Sequence, residues 1–191
     1  LLDSQQAGGD NGHYAVIPIG MCAHLRCYGG WTQIIDMQDH VTWYDDDPFY
    51  ILQQELDKWR KSLGFDDQDT AATPHIFTGG ALGLFGYDLA RRLEDIGEDT
   101  QARSIPDMDV RIYQGALVFD QTDRQAALYC HAAGKDDADA LYAQVTAQLT
   151  NAGPPAAVSS PLHWHAEENR AAYCAKIARV IEAIYAGDIF Q

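Results

Sequence analysis

The residues whose types and spacing are best suited to binding a ligand form a glycine-rich segment, GGALGLFGYD, from Gly79 to Asp88. Backbone amides in such a loop can bind phosphate, but a P-loop needs Lys-Ser or Lys-Thr after its last glycine, and a dinucleotide site needs GxGxxG. The spacing here is GxxGxxG, through Gly80, Gly83 and Gly86, and Tyr-Asp follows it. The pattern therefore favours close packing of a strand and a following helix against other backbone. The large side chains expected to be buried there are Leu82, Leu84 and Phe85.

Histidines and acidic residues give weaker signals for a metal. His163 and His165, in the triplet HWH, would place two imidazoles on one face of a strand, but zinc needs further ligands. The aspartate run 45–47 lacks the glycine and the final glutamate of a calcium loop. It is typical of a helix N-terminus, where carboxylates accept backbone N–H bonds. Spacing alone assembles no Ser-His-Asp or Cys-His set, so the residues by themselves predict neither a catalytic nor a metal site.

Composition and charge limit the classes of protein to which the chain can belong. The chain has 191 residues, 47% of them apolar, which suits one ordinary domain or two small ones. Its 28 acidic and 13 basic residues give a net charge of −15, which disfavours nucleic acid and anionic membranes as partners. No apolar run reaches the roughly 20 residues of a membrane span, and no stretch resembles a signal peptide. We therefore expect a soluble, cytoplasmic protein.

The cysteines show neither the paired CxxC spacing of a metal site nor the density of a disulfide framework. We expect reduced, mostly buried thiols. The four residues are Cys22, Cys27, Cys130 and Cys174.

Strands are predicted in the N-terminal part of the chain, and a helix follows them. Residues 14–19 and 31–44 alternate or cluster β-branched and aromatic side chains, which predicts strands joined by a turn. A helix is predicted next, with Asp47 as N-cap, Pro48 at its first position and Gly64 as its stop. Its apolar residues have helical spacing: Phe49, Leu52, Leu56, Trp59 and Leu63.

The second half of the chain predicts a hairpin and two helices. The strands are 108–120 and 125–133, joined by the turn QTDR. A helix follows over about 136–149, and another over about 167–186, which Gly187 ends. One face of the last helix is apolar: Tyr173, Ile177, Val180, Ile181 and Ile184.

These elements predict an α+β fold with mixed, largely antiparallel β-sheets and flanking helices. The segment NAGPPAAVSSPL predicts a connector over 151–162. It separates an α+β region, 1–150, from a short region, 163–191. That last region leads into DIFQ, the predicted start of a strand that the sequence does not show. The amphipathic helix before it lacks its partner strand, so we expect a truncated chain.

Four stretches together resemble the N-terminal part of the chorismate-using synthases. They are LLDS at 1–4, GGALGLFGYDLARRLE at 79–94, IPDMDVRIYQGALVFD at 105–120 and YAGDIFQ at 185–191. The second, with PDM and IYxxALVxD after it, is more similar to aminodeoxychorismate synthase component I than to anthranilate synthase component I. The resemblance implies that the glycine segment is a strand-to-helix corner of the fold, and that region 163–191 begins the chorismate-binding catalytic part.

The resemblance also implies an activity. Component I of that family uses Mg²⁺ to bind chorismate and replaces its 4-hydroxyl with an amino group from ammonia, which a glutamine amidotransferase partner delivers. The product, 4-amino-4-deoxychorismate, leads to para-aminobenzoate and folate. The family's catalytic and magnesium-binding residues would lie beyond Gln191, so none is assigned and the 191-residue chain alone is expected to be inactive. Two alternatives stay open: anthranilate synthase component I, and a non-catalytic amino-acid-binding module of the same fold.

A tryptophan pocket is a further implication of the resemblance. The matching positions are Ser4, Asn11, Gly12, His13 and Tyr14. A serine hydroxyl and exposed backbone groups suit the ligand's ammonium and carboxylate, while Tyr14 offers an apolar wall. The family commonly has arginine where His13 stands, and residues of the C-terminal part complete its pocket. The alternative is a solvent-exposed hairpin loop that Ser4 caps.

Overall fold

The computed structural model describes residues 2–3, 13–64, 76–95, 105–153 and 165–190. The chain divides into two compact units, Leu1–Asn151 and Ala152–Gln191. The described part of the first unit consists of strands β1 (Leu2–Asp3), β2 (Tyr14–Tyr28), β3 (Trp31–Ile35) and β4 (Val41–Tyr44), helix α1 (Pro48–Leu63), strand β5 (Gly80–Phe85), a 3-10 helix (Tyr87–Arg92), strands β6 (Met108–Asp120) and β7 (Gln125–Cys130), and helix α2 (Lys135–Thr150). The described part of the second unit contains helix α3 (Arg170–Ala186).

The strands form one sheet in the order β4-β3-β2-β6-β5, with β1 on β2 and β7 on β6. Every strand pair in the described residues is antiparallel. This confirms the predicted α+β class with a largely antiparallel sheet. The predicted division into 1–150, 151–162 and 163–191 stays a prediction, because most of the connector lies outside the described residues.

Two long strands, β2 and β6, hold the sheet together. They pair from Tyr14 with Asp120 to Cys27 with Met108. The first half of β2 also pairs with β1 and the second half with β3, while β6 pairs first with β5 and then with β7. The sheet therefore has two halves that share only this central pair.

An irregularity in β2 lies where the two halves meet. Gly20 has a φ of 61°, in the left-handed region, and the register of β2 against β6 shifts between Met21 and Ala23. A Cβ at Gly20 would lie 2.9 Å from the Cβ of Gln114. Glycine is suited to this position because it adopts positive φ without steric cost and leaves room for the neighbouring strand.

Each half of the sheet has its own hydrophobic cluster. The larger cluster joins β2, β3 and β6 to α1 and the 3-10 helix; its buried residues are Cys22, Ala23, Leu25, Cys27, Ile34, Ile51, Leu52, Leu89, Met108, Val110 and Ile112. The smaller cluster contains Val16, Ala116 and Val118. Alternate residues of β6 supply both clusters, as expected of a strand with one buried face.

Helix α1 begins and ends where the sequence predicts. The Asp47 carboxylate accepts a hydrogen bond from the Phe49 amide at 2.8 Å, and Pro48 occupies the first turn. At the other end Gly64 adopts φ 66° and donates its N–H to the Arg60 carbonyl. These caps satisfy backbone groups that the helix itself leaves unpaired. They confirm the interpretation of the aspartate run as a helix start.

The remaining elements follow the sequence prediction with two corrections. The hairpin of β6 and β7 and helix α2 lie where they are expected. Helix α3 begins later than predicted, at Arg170, because the Asn169 side chain caps it by accepting from the Ala172 amide at 3.0 Å. Residues 188–190 form no strand, so that prediction is wrong for these described residues. Within the described residues, no helix combines the length and the apolarity needed to cross a membrane.

Candidate functional site

The predicted tryptophan loop lies between β1 and β2. Asp3 pairs with Ala15, which brings the end of β1 beside the start of β2. The His13 carbonyl accepts the Gln121 amide at 2.8 Å, so the loop's exit is fixed to the β6–β7 turn. The loop residues Ser4, Asn11 and Gly12 lie outside the described residues.

Tyr14 and His13 are the two members of this predicted set that the structure describes. Tyr14 is half-buried and packs on the smaller cluster of Val16, Ala116 and Val118. The His13 ring is exposed and tilted by 43° to the Tyr14 ring, with the centroids 6.2 Å apart. Packing on the cluster fixes the Tyr14 ring at the start of β2. Its role as an apolar wall of a ligand pocket stays a prediction.

The glycine segment forms β5 and brings it close to β6, as expected. A Cβ on Gly83 would overlap the Asp109 carbonyl oxygen, and one on Gly86 would lie 2.9 Å from the Asp107 carbonyl oxygen. The segment thus packs backbone on backbone. A 3-10 helix, Tyr87–Arg92, follows the strand in place of the expected longer helix.

The expected burial of the large side chains in this segment is wrong for two of them. Leu84 and Phe85 are about half exposed, while Leu82 has intermediate burial. Strand β5 pairs only with β6 among the described residues, and its neighbours cover it incompletely. Phe85 lies at the rim of the larger cluster, where its ring stacks on Phe49 at 5.9 Å between centroids.

The candidate metal ligands do not come together in the described residues. His163 lies outside them, and His165 is exposed. Among the residues that the structure describes, no group of three or more histidine, cysteine, aspartate or glutamate side chains could hold a metal ion.

The cysteines are free thiols in different surroundings. Cys22 and Cys27 are buried, Cys130 is half-buried and Cys174 is exposed. Burial raises the pKa of Cys22 to about 11, and it also raises the pKa of Cys27. Thiolates are the reactive form of cysteine, so these two thiols suit a packing role.

The structure also brings together an ionic cluster that sequence reasoning did not identify. It consists of His24 and Arg26 on β2 and Asp109 and Arg111 on β6. His24 Nε2 lies 2.7 Å from Asp109 Oδ1, Arg26 Nε lies 3.3 Å from Oδ2, and an Arg111 terminal nitrogen lies 3.6 Å from Oδ1. Because Arg26 pairs with Asp109 and His24 with Arg111, the strand register places all four on one face of the sheet.

The short contact decides where the proton of His24 lies. An ionised carboxylate only accepts hydrogen bonds, so His24 Nε2 carries the hydrogen that it donates to Asp109. That nitrogen cannot then accept from Arg26 Nε, 3.2 Å away, and Arg26 forms an ion pair with Asp109 Oδ2 instead. His24 is only 5% exposed. Burial lowers its pKa below the ordinary 6.5, against the opposing effect of the Asp109 hydrogen bond.

Comparison with known proteins assigns the fold to a family. The family model described as chorismate binding enzyme matches residues 21–191. The chain belongs to the chorismate-binding enzyme family. This confirms the resemblance inferred from the glycine segment and the PDM stretch.

The relatives of this member of the family include aminodeoxychorismate synthases and anthranilate synthases. Aminodeoxychorismate synthase component 1 of Salmonella typhimurium is 38% identical over 76% of this chain, and that of Escherichia coli K12 is 31% identical over 100% of it. Anthranilate synthase component 1 of Acinetobacter calcoaceticus is 25% identical over 100% of the chain and 40% of its own length. The chain spans 30% and 40% of the two aminodeoxychorismate relatives, respectively.

A solved structure supports the fold of this member of the family. Anthranilate synthase component I from Streptococcus pneumoniae TIGR4 has a TM-score of 0.61, with 21% identity, over 100% of this chain and 42% of that one. The α+β architecture described above is therefore that of part of a component I chain.

Proposed function

We propose that this chain belongs to an aminodeoxychorismate synthase component I, which converts chorismate and ammonia into 4-amino-4-deoxychorismate. The observation that carries the proposal is sequence identity over the full chain. It is 31% to aminodeoxychorismate synthase component 1 of Escherichia coli and 25% to anthranilate synthase component 1 of Acinetobacter calcoaceticus. The glycine segment and the PDM stretch support the same branch. The product would lead to para-aminobenzoate and folate.

The proposed partners follow from the two-component nature of the enzyme. The relatives are named component 1, and a glutamine amidotransferase subunit would supply ammonia to this one. Mg²⁺ would assist chorismate binding in the rest of the polypeptide. The described residues do not fit a magnesium site, since they contain no suitable group of three ligands. No step of the reaction is therefore assigned to them.

The chain's own contribution, in this proposal, is a scaffold and one half of a tryptophan site. The site would use Ser4, Asn11, Gly12, His13 and Tyr14. Two facts support the location: β1 and β2 pair beside the loop, and Tyr14 is held on the smaller cluster. The Ser4 hydroxyl would bond the ligand's charged groups, and the Tyr14 ring would contact its indole.

A product assay tests the proposed activity. The full-length protein is incubated with chorismate, Mg²⁺ and ammonia, and the products are separated. We expect 4-amino-4-deoxychorismate. Anthranilate as the main product would overturn the assignment in favour of the second candidate. No turnover by an intact, folded protein would favour the amino-acid-binding module.

Calorimetry of the full-length protein tests the tryptophan site separately. Hydrogen bonds to charged partners contribute about 1.5 to 3 kcal/mol, so Ser4→Ala is expected to weaken tryptophan binding by about 10- to 150-fold. Tyr14→Ala is the matched comparison: it removes apolar contact and weakens tryptophan and its decarboxylated analogue alike. If the wild type shows no heat of binding and purifies without tryptophan, the loop is not a ligand site.

A further inference from the structure

The sheet changes its strand partners at one boundary, which divides it into two halves. The loop half, named after the loop between β1 and β2, contains β1, β7, residues 14–19 of β2 and residues 115–120 of β6. The helix half contains β3, β4, β5, residues 23–28 of β2 and residues 108–113 of β6, with α1 packed on it. Among the described strands, β2 and β6 alone belong to both halves.

The pairing of β2 with β6 is interrupted at this boundary. Met21 pairs with Tyr113 and Ala23 pairs with Ile112, so Cys22 is an extra residue of β2. A bulge of this kind leaves one residue outside the regular ladder and bends its strand. The pairing therefore consists of two regular stretches, and the opening of one stretch can stop at the bulge.

The His131 ring reaches across the boundary. His131 follows β7 and Gly79 precedes β5, and a Cβ on Gly79 would lie 3.0 Å from Cδ2 of the ring. Both residues lie at strand ends, outside the two hydrophobic clusters. This contact therefore links the halves without joining their cores.

The core of the loop half is the smaller one. Its described buried apolar residues are Val16, Ala116, Leu117 and Val118, with Leu141 and Val145 of α2, the helix that contacts β7. Residues 125–127 of β7 are exposed, and β1 has only two residues. The helix half instead contains the larger cluster, which a 16-residue helix covers. Because local stability follows the apolar surface that each part buries, the loop half is the less stable of the two.

We infer that the loop half opens and closes as a cooperative unit of its own, while the helix half stays folded. Opening separates residues 14–19 of β2 from residues 115–120 of β6 and breaks the smaller cluster. It ends at the bulge, beyond which α1 and the larger cluster hold the two strands together. The sheet is thus a two-state element within one domain.

This equilibrium would regulate the proposed tryptophan site, and that consequence rests on the proposed function. Tyr14, which the site would use, packs on the smaller cluster, and β1 pairs with β2 in the same half. Opening would displace both. A ligand that binds only the closed form shifts the equilibrium towards it, so tryptophan would order the whole loop half, including residues of β6 that it does not touch.

Hydrogen–deuterium exchange of the full-length protein tests whether the halves open separately. Each long strand supplies its own comparison: residues 14–19 against 23–28 in β2, and 115–120 against 108–113 in β6. We expect amide protection, the exchange rate relative to the unfolded chain, to be at least about tenfold weaker in the loop-half segments, because these exchange through the local opening. Equal protection of the four segments would overturn the inference.

A matched pair of substitutions on β6 separates local from global opening. Val118 and Val110 are 3% and 0% exposed, on the same face of the strand and on opposite sides of the boundary. Val118→Ala is expected to accelerate exchange by about 10- to 100-fold in the loop half alone, because a cavity in its core favours the open form. Val110→Ala should leave exchange in the loop half unchanged, as long as the helix half remains the more protected.

An equal acceleration in all four segments, in either variant, would show one cooperative unit and overturn the inference. If Val118→Ala does not fold, Val16→Ala, on the β2 side of the same cluster, replaces it under the same criterion.

L-Tryptophan is the probe for the regulatory consequence. At a saturating concentration we expect slower exchange in residues 115–120 as well as 14–19, with residues 108–113 unchanged. Binding that is seen by calorimetry but leaves residues 115–120 unchanged would contradict the cooperative unit. Absence of binding would contradict the proposed tryptophan site alone, since exchange without ligand decides whether the loop half opens separately.

Discussion

Gly83 sets the distance between two strands by having no side chain. A Cβ at this position would overlap the Asp109 carbonyl oxygen and lie 2.6 Å from the Cα of Val110. These are backbone atoms of the central strand β6, which cannot move without disturbing its other partners. We expect Gly83→Ala to reduce the free energy of unfolding by about 1 to 3 kcal/mol, the usual cost of overpacking. Urea denaturation monitored by tryptophan fluorescence measures the change.

Gly30 provides the matched control for this substitution. Its φ is not positive, and an added Cβ would meet only a guanidinium nitrogen of Arg92, 3.8 Å away, which is ordinary van der Waals contact. Gly30→Ala should therefore change the unfolding free energy by no more than about 0.5 kcal/mol, as expected of a surface substitution. Equal losses in the two variants would show that close approach is not what Gly83 provides.

His24 links stability to pH. Because burial lowers its pKa in the folded state below 6.5, the unfolded chain binds the proton more readily. This contribution to stability is complete above the unfolded pKa of 6.5 and is lost as the pH falls from there towards the lower folded pKa. We expect His24→Gln to reduce the loss of unfolding free energy between about pH 7.5 and pH 5.5.

His131 contributes in the same direction, since burial lowers its pKa as well. The measurement is therefore the difference in pH dependence between wild type and the His24→Gln variant, taken from urea titrations at each pH. His131→Gln, made in parallel, shows the share of the second histidine. Identical pH dependence in wild type and His24→Gln would contradict the role assigned to His24.

At the scale of an element, the N-terminus of α1 depends on one side chain. The Asp47 carboxylate satisfies the Phe49 amide, and α1 supplies Ile51 and Leu52 to the larger cluster. Asp47→Ala is expected to cost about 1 kcal/mol of unfolding free energy, within the usual range of roughly 0.5 to 2 for lost caps. Asp47→Asn keeps the acceptor and should cost much less. The thermal unfolding midpoint of each variant measures this cost. Equal midpoints for Asp47→Ala and Asp47→Asn would contradict the capping role.

Local signals predicted most of the elements, but strand β2 extends to Tyr28, well beyond the predicted residues 14–19. Helix α1 has the predicted cap residues at both ends, and the turn between β3 and β4 forms where polar residues separate two apolar runs. Residues 188–190 were predicted to begin a strand after α3, but a strand requires a pairing partner that their own sequence cannot specify. The exposure of Leu84 has a related cause, because it depends on which face of β5 other elements cover.

The ionic cluster was not predictable from local patterns. His24 and Asp109 are 85 positions apart, and only the register of β2 against β6 places them side by side. The alternation of His24 and Arg26 with buried neighbours was a partial signal, since it indicates one polar and one apolar strand face. The tryptophan loop came from resemblance, and its central residues lie outside the described part of the chain.

At the scale of the whole molecule, exposed apolar surface governs the behaviour of the 191-residue chain. On the sheet, Val41, Trp43 and Leu84 are about half exposed. Helix α3 also exposes an apolar stripe: Tyr173, Ile177, Val180, Ile181 and Ile184. Burying one large apolar side chain contributes about 1.5 to 3 kcal/mol, whereas a domain is stable by only about 5 to 15. We expect the purified chain to associate or to bind a hydrophobic dye, and to show no turnover of chorismate.

Size-exclusion chromatography measures association, and dye fluorescence measures dye binding. A boiled sample is the control for the assay of chorismate turnover. A monomer with a sharp cooperative melt and no dye binding would contradict the expectation that these surfaces need a cover. Turnover above the boiled sample would show that the chain contains a catalytic site.

The central pairing of β2 with β6 has a consequence for biosynthesis. The paired residues are far apart along the chain, from 81 positions for Cys27 and Met108 to 106 for Tyr14 and Asp120. Ribosomes add about 5 to 20 residues per second, so each paired residue of β2 is synthesised roughly 4 to 20 s before its partner on β6. During that interval its long apolar edge is open to other nascent chains. Newly made protein should therefore depend on chaperones that bind extended apolar segments, and slower translation before Met108 should increase aggregation.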